Sequence, residues 1–345
     1  MSETYESETY NSLMNAAPHP YANLTPDRVL DALATVGLNG DGRLQALGSY
    51  ENRVYQIGIE DAPAIVVKFY RPLRWSDAAI LEEHAFVADL AAREIPVVAP
   101  LTLGSRTLNT FQGFRFAAYP RCVGRAPELS DPSTLEWMGR FLGRIHAVGA
   151  LEAFRERSAI SVETFGVEPR DWLLAHGFIP ADLKDAWESI AALALDSALR
   201  CFDRAGDIAS LRLHGDCHAG NVLWIEHGAT RGPHFVDFDD ARMGPAVQDL
   251  WMLLSGGRAE MTRQLDPVLR GYREFHDFDP RELNLVEALR TLRLLHYSAW
   301  IAQRWDDPAF PVAFPWFNTQ RYWQDRILEL REQVALMDDP PLMST

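Results

Sequence analysis

The run His214-Gly215-Asp216-Cys217-His218-Ala219-Gly220-Asn221 sets an aspartate and an asparagine five residues apart in a segment that carries two glycines, and Asp237 follows on the far side of a short hairpin. Phosphoryl transfer needs such a trio. One carboxylate orients the attacking hydroxyl and accepts its proton, while a second carboxylate and an amide oxygen hold the Mg²⁺ that bridges nucleotide phosphates. Asp216 suits the first task, and Asn221 with Asp237 the second. The same chemistry asks for a lysine on an upstream strand that reaches the α- and β-phosphates, positioned by a helix glutamate. AIVVKFY at 64–70 supplies Lys68. In the helix that follows, Ile80, Glu83, Val87 and Leu90 share one face, whereas stepping from Glu82 reaches Phe86 and then Asp89, so Glu83 is the expected inward partner of Lys68.

The same residues could serve other chemistries. His214, Asp216 and His218 alternate, and on a strand they could converge on zinc as in a metal-dependent hydrolase. Gly215 and Gly220 argue for a loop instead, and no second distant His/Asp pair has comparable spacing. His214 then reads as a residue that bonds the loop backbone, and His218 as one that faces the cleft. Asp and Asn favour turns whatever their chemistry. That accounts for any one of Asp216, Asn221 and Asp237, but not for all three together with Lys68 and Glu83. Cys217 reads as an inert, semi-buried thiol, and Trp300, Trp305, Trp316 and Trp323 as core of a helical region rather than an acceptor-binding wall.

The elements that must position these residues follow from periodicity and punctuation. Thr25, Pro26 and Asp27 cap a short helix that ends at Gly37. LQALGSYENRVYQIGI at 44–59 holds two β-prone runs around a polar segment, and 64–70 forms a third strand. Residues 49–53 then join two strands and offer backbone N–H groups and a hydroxyl to phosphate oxygens, with Ser49, Asn52 and Arg53 as expected nucleotide contacts. Ser76 caps a helix over 77–93 that the Ile95-Pro96 pair ends, and strands are expected near 98–103 and 112–119. Beyond about residue 132 the pattern is helical, at 132–148, 181–203 and 282–304. It is interrupted by LRLHGD at 211–216 and the strand pair 222–225 and 234–238, with helix again near 245.

Composition limits the partners. The 345 residues, 47% of them hydrophobic, suffice for two lobes sharing a cleft. The formal charge of −15 repels polyanions, so nucleic acid is not an expected partner. Neither a long apolar run nor a signal-like start is present, which predicts a cytoplasmic chain without membrane contact, most simply a monomer. Three separated cysteines, Cys122, Cys201 and Cys217, make no disulfide framework. Residues 1–21 read as an unpacked tail. Its tandem SETY-E-SETY carries Ser2, Thr4, Ser7 and Thr9, either a solubilising end or an autophosphorylation target.

HGDCHAGN followed by VDFDD resembles the catalytic loop and metal segment of the aminoglycoside phosphotransferase and choline kinase-like superfamily, and SYENRVYQ, VVKFYRP, LEEH and GPAVQDLWMLL extend the resemblance over nearly all the chain. The resemblance implies an α+β bilobal protein-kinase-like fold, with a sheet-rich nucleotide-binding lobe over 22–118, a hinge at 119–122 and a helical lobe over 123–345. It also implies ATP as donor, Asp216 as proton acceptor, Asn221 and Asp237 as Mg²⁺ ligands, Ser49 and Lys68 at the ATP site, and Asp249 as a brace of the catalytic loop. Within that superfamily the chain resembles the bacterial Ser/Thr protein kinases, so its expected acceptor is a protein Ser/Thr hydroxyl. The alternatives are a kinase of a small alcohol, such as an aminoglycoside, choline or homoserine, and a nucleotide-binding pseudokinase. The phosphate loop is GSYENR rather than GxGxxG and the metal segment DFD rather than DFG, as this branch of the superfamily has them.

Overall fold

The computed structural model describes residues 19–228 and 231–343. The tandem repeat and its hydroxyls therefore lie outside the described residues. Tyr21 does not belong to a tail. Its ring is buried and its hydroxyl donates to Phe69 O at 3.1 Å, so the lobe begins before the residue 22 boundary read from the sequence.

Helix α1 (Pro26–Ala34) is capped by the Thr25 side chain, which accepts from Arg28 N, and carries proline in its first turn. Its Val29, Ala32 and Leu33 pack on one face of a five-stranded antiparallel sheet of order β1-β2-β3-β5-β4. The strands are β1 (Gly40–Ala46), β2 (Arg53–Ile59), β3 (Ala62–Phe69), β4 (Asn109–Phe111) and β5 (Phe114–Pro120). Gln112 and Gly113, both at positive φ, make the two-residue turn between the last two strands. The strand expected near 98–103 does not form. Pro96 and Pro100 remove two ladder donors there, and isolated bridges at Val97 and Leu103 are what remains. Tyr119 and Pro120 still pair with Val66 and Ile65, so β5 runs two residues past the 118 boundary and into the expected hinge.

Helix α2 (Asp77–Ala92) starts at the Ser76 cap as the sequence predicts. Its allegiance is a surprise. Phe86, Val87 and Leu90 belong to the core of the helical lobe, with Phe86 edge-on to Phe154 at 5.6 Å and to Phe238 at 6.0 Å. A small apolar contact through Ile80, Tyr70 and Ala117, the Asp77–Arg115 ion pair at 2.9 Å and the His84–Tyr70 hydrogen bond at 2.7 Å tie it to the sheet.

The helical lobe contains α3 (Pro132–Gly149), α4 (Glu168–Ala175), α5 (Lys184–Ala205), α6 (Val247–Trp251), α7 (Arg258–Tyr272), α8 (Val286–Ala302), α9 (Ala309–Ala313) and α10 (Gln320–Asp338). Helices α3 and α7 meet backbone to backbone. A Cβ at Gly139 would stand 2.0 Å from Val268 O, one at Gly143 2.5 Å from Tyr272 O, and one at Gly271 2.1 Å from Glu136 O. Two small ladders, β6 (Leu211–Arg212) with β9 (Met243–Gly244) and β7 (Val222–Ile225) with β8 (Gly232–Phe235), carry the loops that face the cleft. No helix among the described residues is long and apolar enough to cross a membrane.

Candidate active site

The loop after β6 is held from behind. His214 N and Gly215 N donate to the two carboxylate oxygens of Asp249 on α6, at 2.8 and 2.9 Å. His146 Nε2 on α3 bonds the same carboxylate at 3.0 Å, and its Nδ1 meets the Tyr272 hydroxyl of α7 at 2.9 Å. Asp249 and His146 are wholly buried, so every lone pair used here is one that water does not compete for. Gly215 sits at φ +85° with Asp240 O 2.0 Å from where a Cβ would be, a place only glycine can take. The His214 ring is spent on backbone, with Nε2 on Val236 O at 2.9 Å and Nδ1 accepting from Asp216 N at 3.4 Å. It has no nitrogen left for zinc. Among the described residues no group of three His, Cys, Asp or Glu is placed to hold a metal ion.

Asp216 opens onto the cleft. Asn221 Nδ2 donates to its backbone oxygen at 2.9 Å, which folds the five-residue interval into a turn and leaves the amide Oδ1 as the atom with which Asn221 could hold a cation. His218 Nδ1 accepts from Gly220 N at 2.9 Å, so the neutral ring carries its proton on Nε2, 3.5 Å from Asp216 Oδ2. Arg293 Nη1 on α8 lies 2.7 Å from Asp216 Oδ1. Burial pushes the Asp216 carboxyl up, but the His218 hydrogen bond and the Arg293 charge outweigh it and hold the group below its ordinary value.

Asp237 follows β8 in a left-handed turn, φ +61° and ψ +60°, which aspartate tolerates better than most residues. Its half-exposed carboxylate accepts from Lys68 Nζ at 2.6 Å. Desolvation alone would lower the lysine's pKa, and the charges of Asp237 and Asp239 reverse that and raise it. Behind it Asp239 is buried, ion-paired to Arg74, which also holds Asp240 at 2.7 Å. Burial raises the Asp239 carboxyl, and Arg74 and Lys68 together bring it below its ordinary value.

Three expectations need correction. Glu83 is buried and faces inward, yet its partner is not Lys68 but Arg157, whose Nη2 bonds Glu83 Oε2 at 3.0 Å. The guanidinium fork also donates to Ala79 O, Asp239 O and Ala241 O, a set of acceptors that a lysine ammonium could not span. Asn52 lines the cleft, but both ends of its amide are engaged, Nδ2 with Asp239 Oδ2 at 3.0 Å and Oδ1 with Arg71 N at 3.0 Å. Arg53 is not among the residues that line the cleft. It stacks on Tyr21 at 4.4 Å and places Nη2 2.9 Å from both oxygens of Asp307, beyond α8. Ser49 lines the cleft beside Gly48 and Tyr50, in the turn between β1 and β2.

Nothing local in the sequence signals the charges that fasten this turn to the helical lobe. Glu51 is ion-paired to Arg71 at 3.0 Å and to Arg304 at 2.6 Å, and accepts from the Trp300 indole; Arg71 also holds Asp307 at 2.6 Å. Arg74, Arg157, Arg293 and Asp307 carry no local motif. Trp323 is core as expected, whereas Trp300 lines the cleft.

Between the lobes lies a cleft of about 1010 Å³, bordered by Ser49, Asp216, Asn221, Asp237 and Asp239. That is room for a nucleotide and part of an acceptor. Asp239 Oδ1 is buried without a hydrogen-bond partner, and the neighbouring donor set is carboxylate and amide oxygen. Hard oxygens in small number suit Mg²⁺, which takes one or two carboxylates and completes its shell with phosphate and water. The residues present fit a magnesium nucleotide.

A sheet lobe joined to a helical lobe, with a braced Asp-Asn loop and an aspartate turn at their junction, defines a kinase-like phosphotransferase. The pattern of the Phosphotransferase enzyme family matches residues 43–286, and the chain belongs to that family. It is 45% identical to Stress response kinase A of Escherichia coli over 332 residues, 96% of this chain and 99% of that protein. Identity is 43% to the Serine/threonine protein kinase RdoA of Salmonella typhimurium, over the same shares of both chains. The structure of amicoumacin kinase hAmiN in complex with AMP-PNP, Ca2+ and Ami shares the fold, with a TM-score of 0.66 at 17% identity over 99% of this chain and 98% of that one.

Proposed function

We propose that the protein is an ATP- and Mg²⁺-dependent serine/threonine protein kinase of a bacterial stress response, acting as a cytoplasmic monomer. The observation that carries this reading is the convergence of Asp216, Asn221 and Asp237 on one cleft, in a chain alike over 96% of its length to proteins named as stress response and Ser/Thr kinases. Asn221 Oδ1 and Asp237 would hold the metal. Bound there, Mg²⁺ supplies positive charge to the phosphate oxygens. Lys68, anchored by Asp237, sits at the same corner, and the turn at Ser49 covers the donor side. Asp216, kept ionised, receives the proton of the acceptor hydroxyl as its oxygen bonds to phosphorus and the bond to the leaving phosphate breaks.

The test is incubation with γ-labelled ATP and Mg²⁺, with and without a cell extract, separating labelled protein from labelled small molecules. Label on Ser or Thr of protein is expected, and Asp216→Asn should lower the rate by about 10² to 10⁴ while ATP binding by calorimetry is retained. Label on small alcohols alone, or equal rates for wild type and Asp216→Asn, refutes the reading.

A further inference from the structure

Arg293 stands where the acceptor must arrive. It lines the cleft from α8, its side chain is partly open to solvent, and Nη1 lies 2.7 Å from the base oxygen Asp216 Oδ1. The other oxygen, Oδ2, is flanked by Asn221 Nδ2 at 3.4 Å and His218 Nε2 at 3.5 Å. Oδ1 is thus charge-paired with the guanidinium yet makes no hydrogen bond, whereas Oδ2 has a side-chain N–H on either flank. A hydroxyl that is to hydrogen-bond Oδ1 finds a guanidinium nitrogen already 2.7 Å from it and must enter beside that charge or displace it, and a neutral acceptor offers nothing to receive the charge it displaces.

The surrounding wall shows what could receive it. Arg290, one turn before Arg293, stacks over Trp251 at 5.6 Å and is matched by Glu287 at 3.4 Å. Glu329 on α10 is matched by Arg326, which leaves Glu332 as the further carboxylate on that wall. Arg293 has the catalytic base itself as its ion-pair partner. A carboxylate close to the acceptor hydroxyl would take the guanidinium bidentately and uncover Oδ1 in the same movement.

Resting on the protein-kinase reading, we infer that Arg293 is a specificity-determining residue that selects Ser/Thr acceptors with an acidic neighbour, by moving from Asp216 to that neighbour's carboxylate. The chain's own first residues, MSETYESETYNS, have this chemistry, each of Ser2, Thr4, Ser7 and Thr9 lying next to a glutamate in sequence.

The experiment uses two synthetic peptides, that twelve-residue sequence and its counterpart with Glu3, Glu6 and Glu8 replaced by glutamine, each offered to the full-length protein with Mg-ATP. Wild type should phosphorylate the acidic peptide with a kcat/KM about ten- to a hundredfold higher, the range of a charge-assisted contact. In Arg293→Gln the ratio should fall to about one, and in Arg293→Lys it should stay above one. Equal rates for the two peptides with wild type overturn the inference whatever the variants do, while leaving the kinase reading in place. A loss of equal factor on both peptides in Arg293→Gln also overturns it, because that is the mark of a residue acting on the transferring phosphoryl group. Failure to label either peptide, with label appearing on choline or homoserine, refutes the protein-kinase reading itself, and this inference with it.

Discussion

Replacing Arg157 by methionine keeps the length and most of the volume of the side chain and removes only the fork. In the native protein that fork makes four bonds, to Ala79 O at 2.8 Å, Asp239 O at 2.9 Å, Ala241 O at 2.8 Å and Glu83 Oε2 at 3.0 Å. Two of the three carbonyls lose little: Ala79 lies within α2, whose backbone bonds remain, and Asp239 O keeps the Trp75 indole at 3.1 Å. Glu83 loses its ion-pair partner while buried, and breaking such a pair costs about 3–5 kcal/mol. Burial already pushes the Glu83 carboxyl up to about 7. Without Arg157 it rises further, so the folded variant binds a proton that the unfolded chain, with an ordinary glutamate, has released. Over that window the variant's stability falls as pH rises. Urea unfolding of Arg157→Met should therefore show a loss of about 4 kcal/mol at pH 8 and a smaller one at pH 5. The double variant Arg157→Met/Glu83→Gln should recover about 2 kcal/mol of the loss at pH 8. A loss below about 1.5 kcal/mol, or one that is the same at both pH values with no coupling in the double-mutant cycle, would refute the claim that Arg157 is the counter-charge of Glu83.

Removing Asp307 should act on the turn at Ser49. Asp307→Ala leaves Arg53 and Arg71 without a shared carboxylate, but Arg71 keeps Glu51 and Arg53 keeps Tyr21, so the cost in thermal or urea unfolding should be about 1.5–3 kcal/mol, with a raised KM for ATP as the turn loosens. An unchanged KM would show that the turn does not depend on this anchor. Glu282, whose carboxylate caps α6 by accepting from Val247 N at 2.8 Å, is pushed up to about 7 by burial. Its folded pKa lies above the unfolded value, so its ionisation should cost up to about 3 kcal/mol of stability as pH rises from about 4.5 to 7. Glu282→Gln should flatten that slope, and an unchanged slope in urea titrations refutes the assignment. Asp237→Ala should remove most of the Mg²⁺ dependence of nucleotide affinity in calorimetry, and full retention would place the metal elsewhere.

What could be read in the sequence was what is local. Asp216 and Asn221 lie on one loop whose glycines announce it, Asp237 lies one hairpin away, and the period of α2 is enough to point Glu83 inward. The partner of Glu83 is 74 residues further on, in an irregular segment where nothing repeats. Arg53 meets Asp307 across 254 residues, a pairing that only the assembled lobes bring about. The expected strand near 98–103 failed for a reason that was visible, since Pro96 and Pro100 stand in a run whose apolar content suggested pairing. The cap and period of α2 give its place in the chain, but an apolar face does not state which lobe it packs against.

The glycine contact between α3 and α7 reaches the cleft by a route that involves no substrate. Gly143 lets the backbone of Tyr272 approach, Tyr272 holds His146, His146 holds Asp249, and Asp249 holds the amides of the loop that carries Asp216. A single methyl group at Gly139 or Gly143 would wedge two helices apart by about an ångström and pass that displacement, bond by bond, to Asp216. Inactivating substitutions in this protein should thus map to two clusters, one around the reacting groups and one in a helix crossing behind them, and a survey confined to cleft-lining positions would overlook the second.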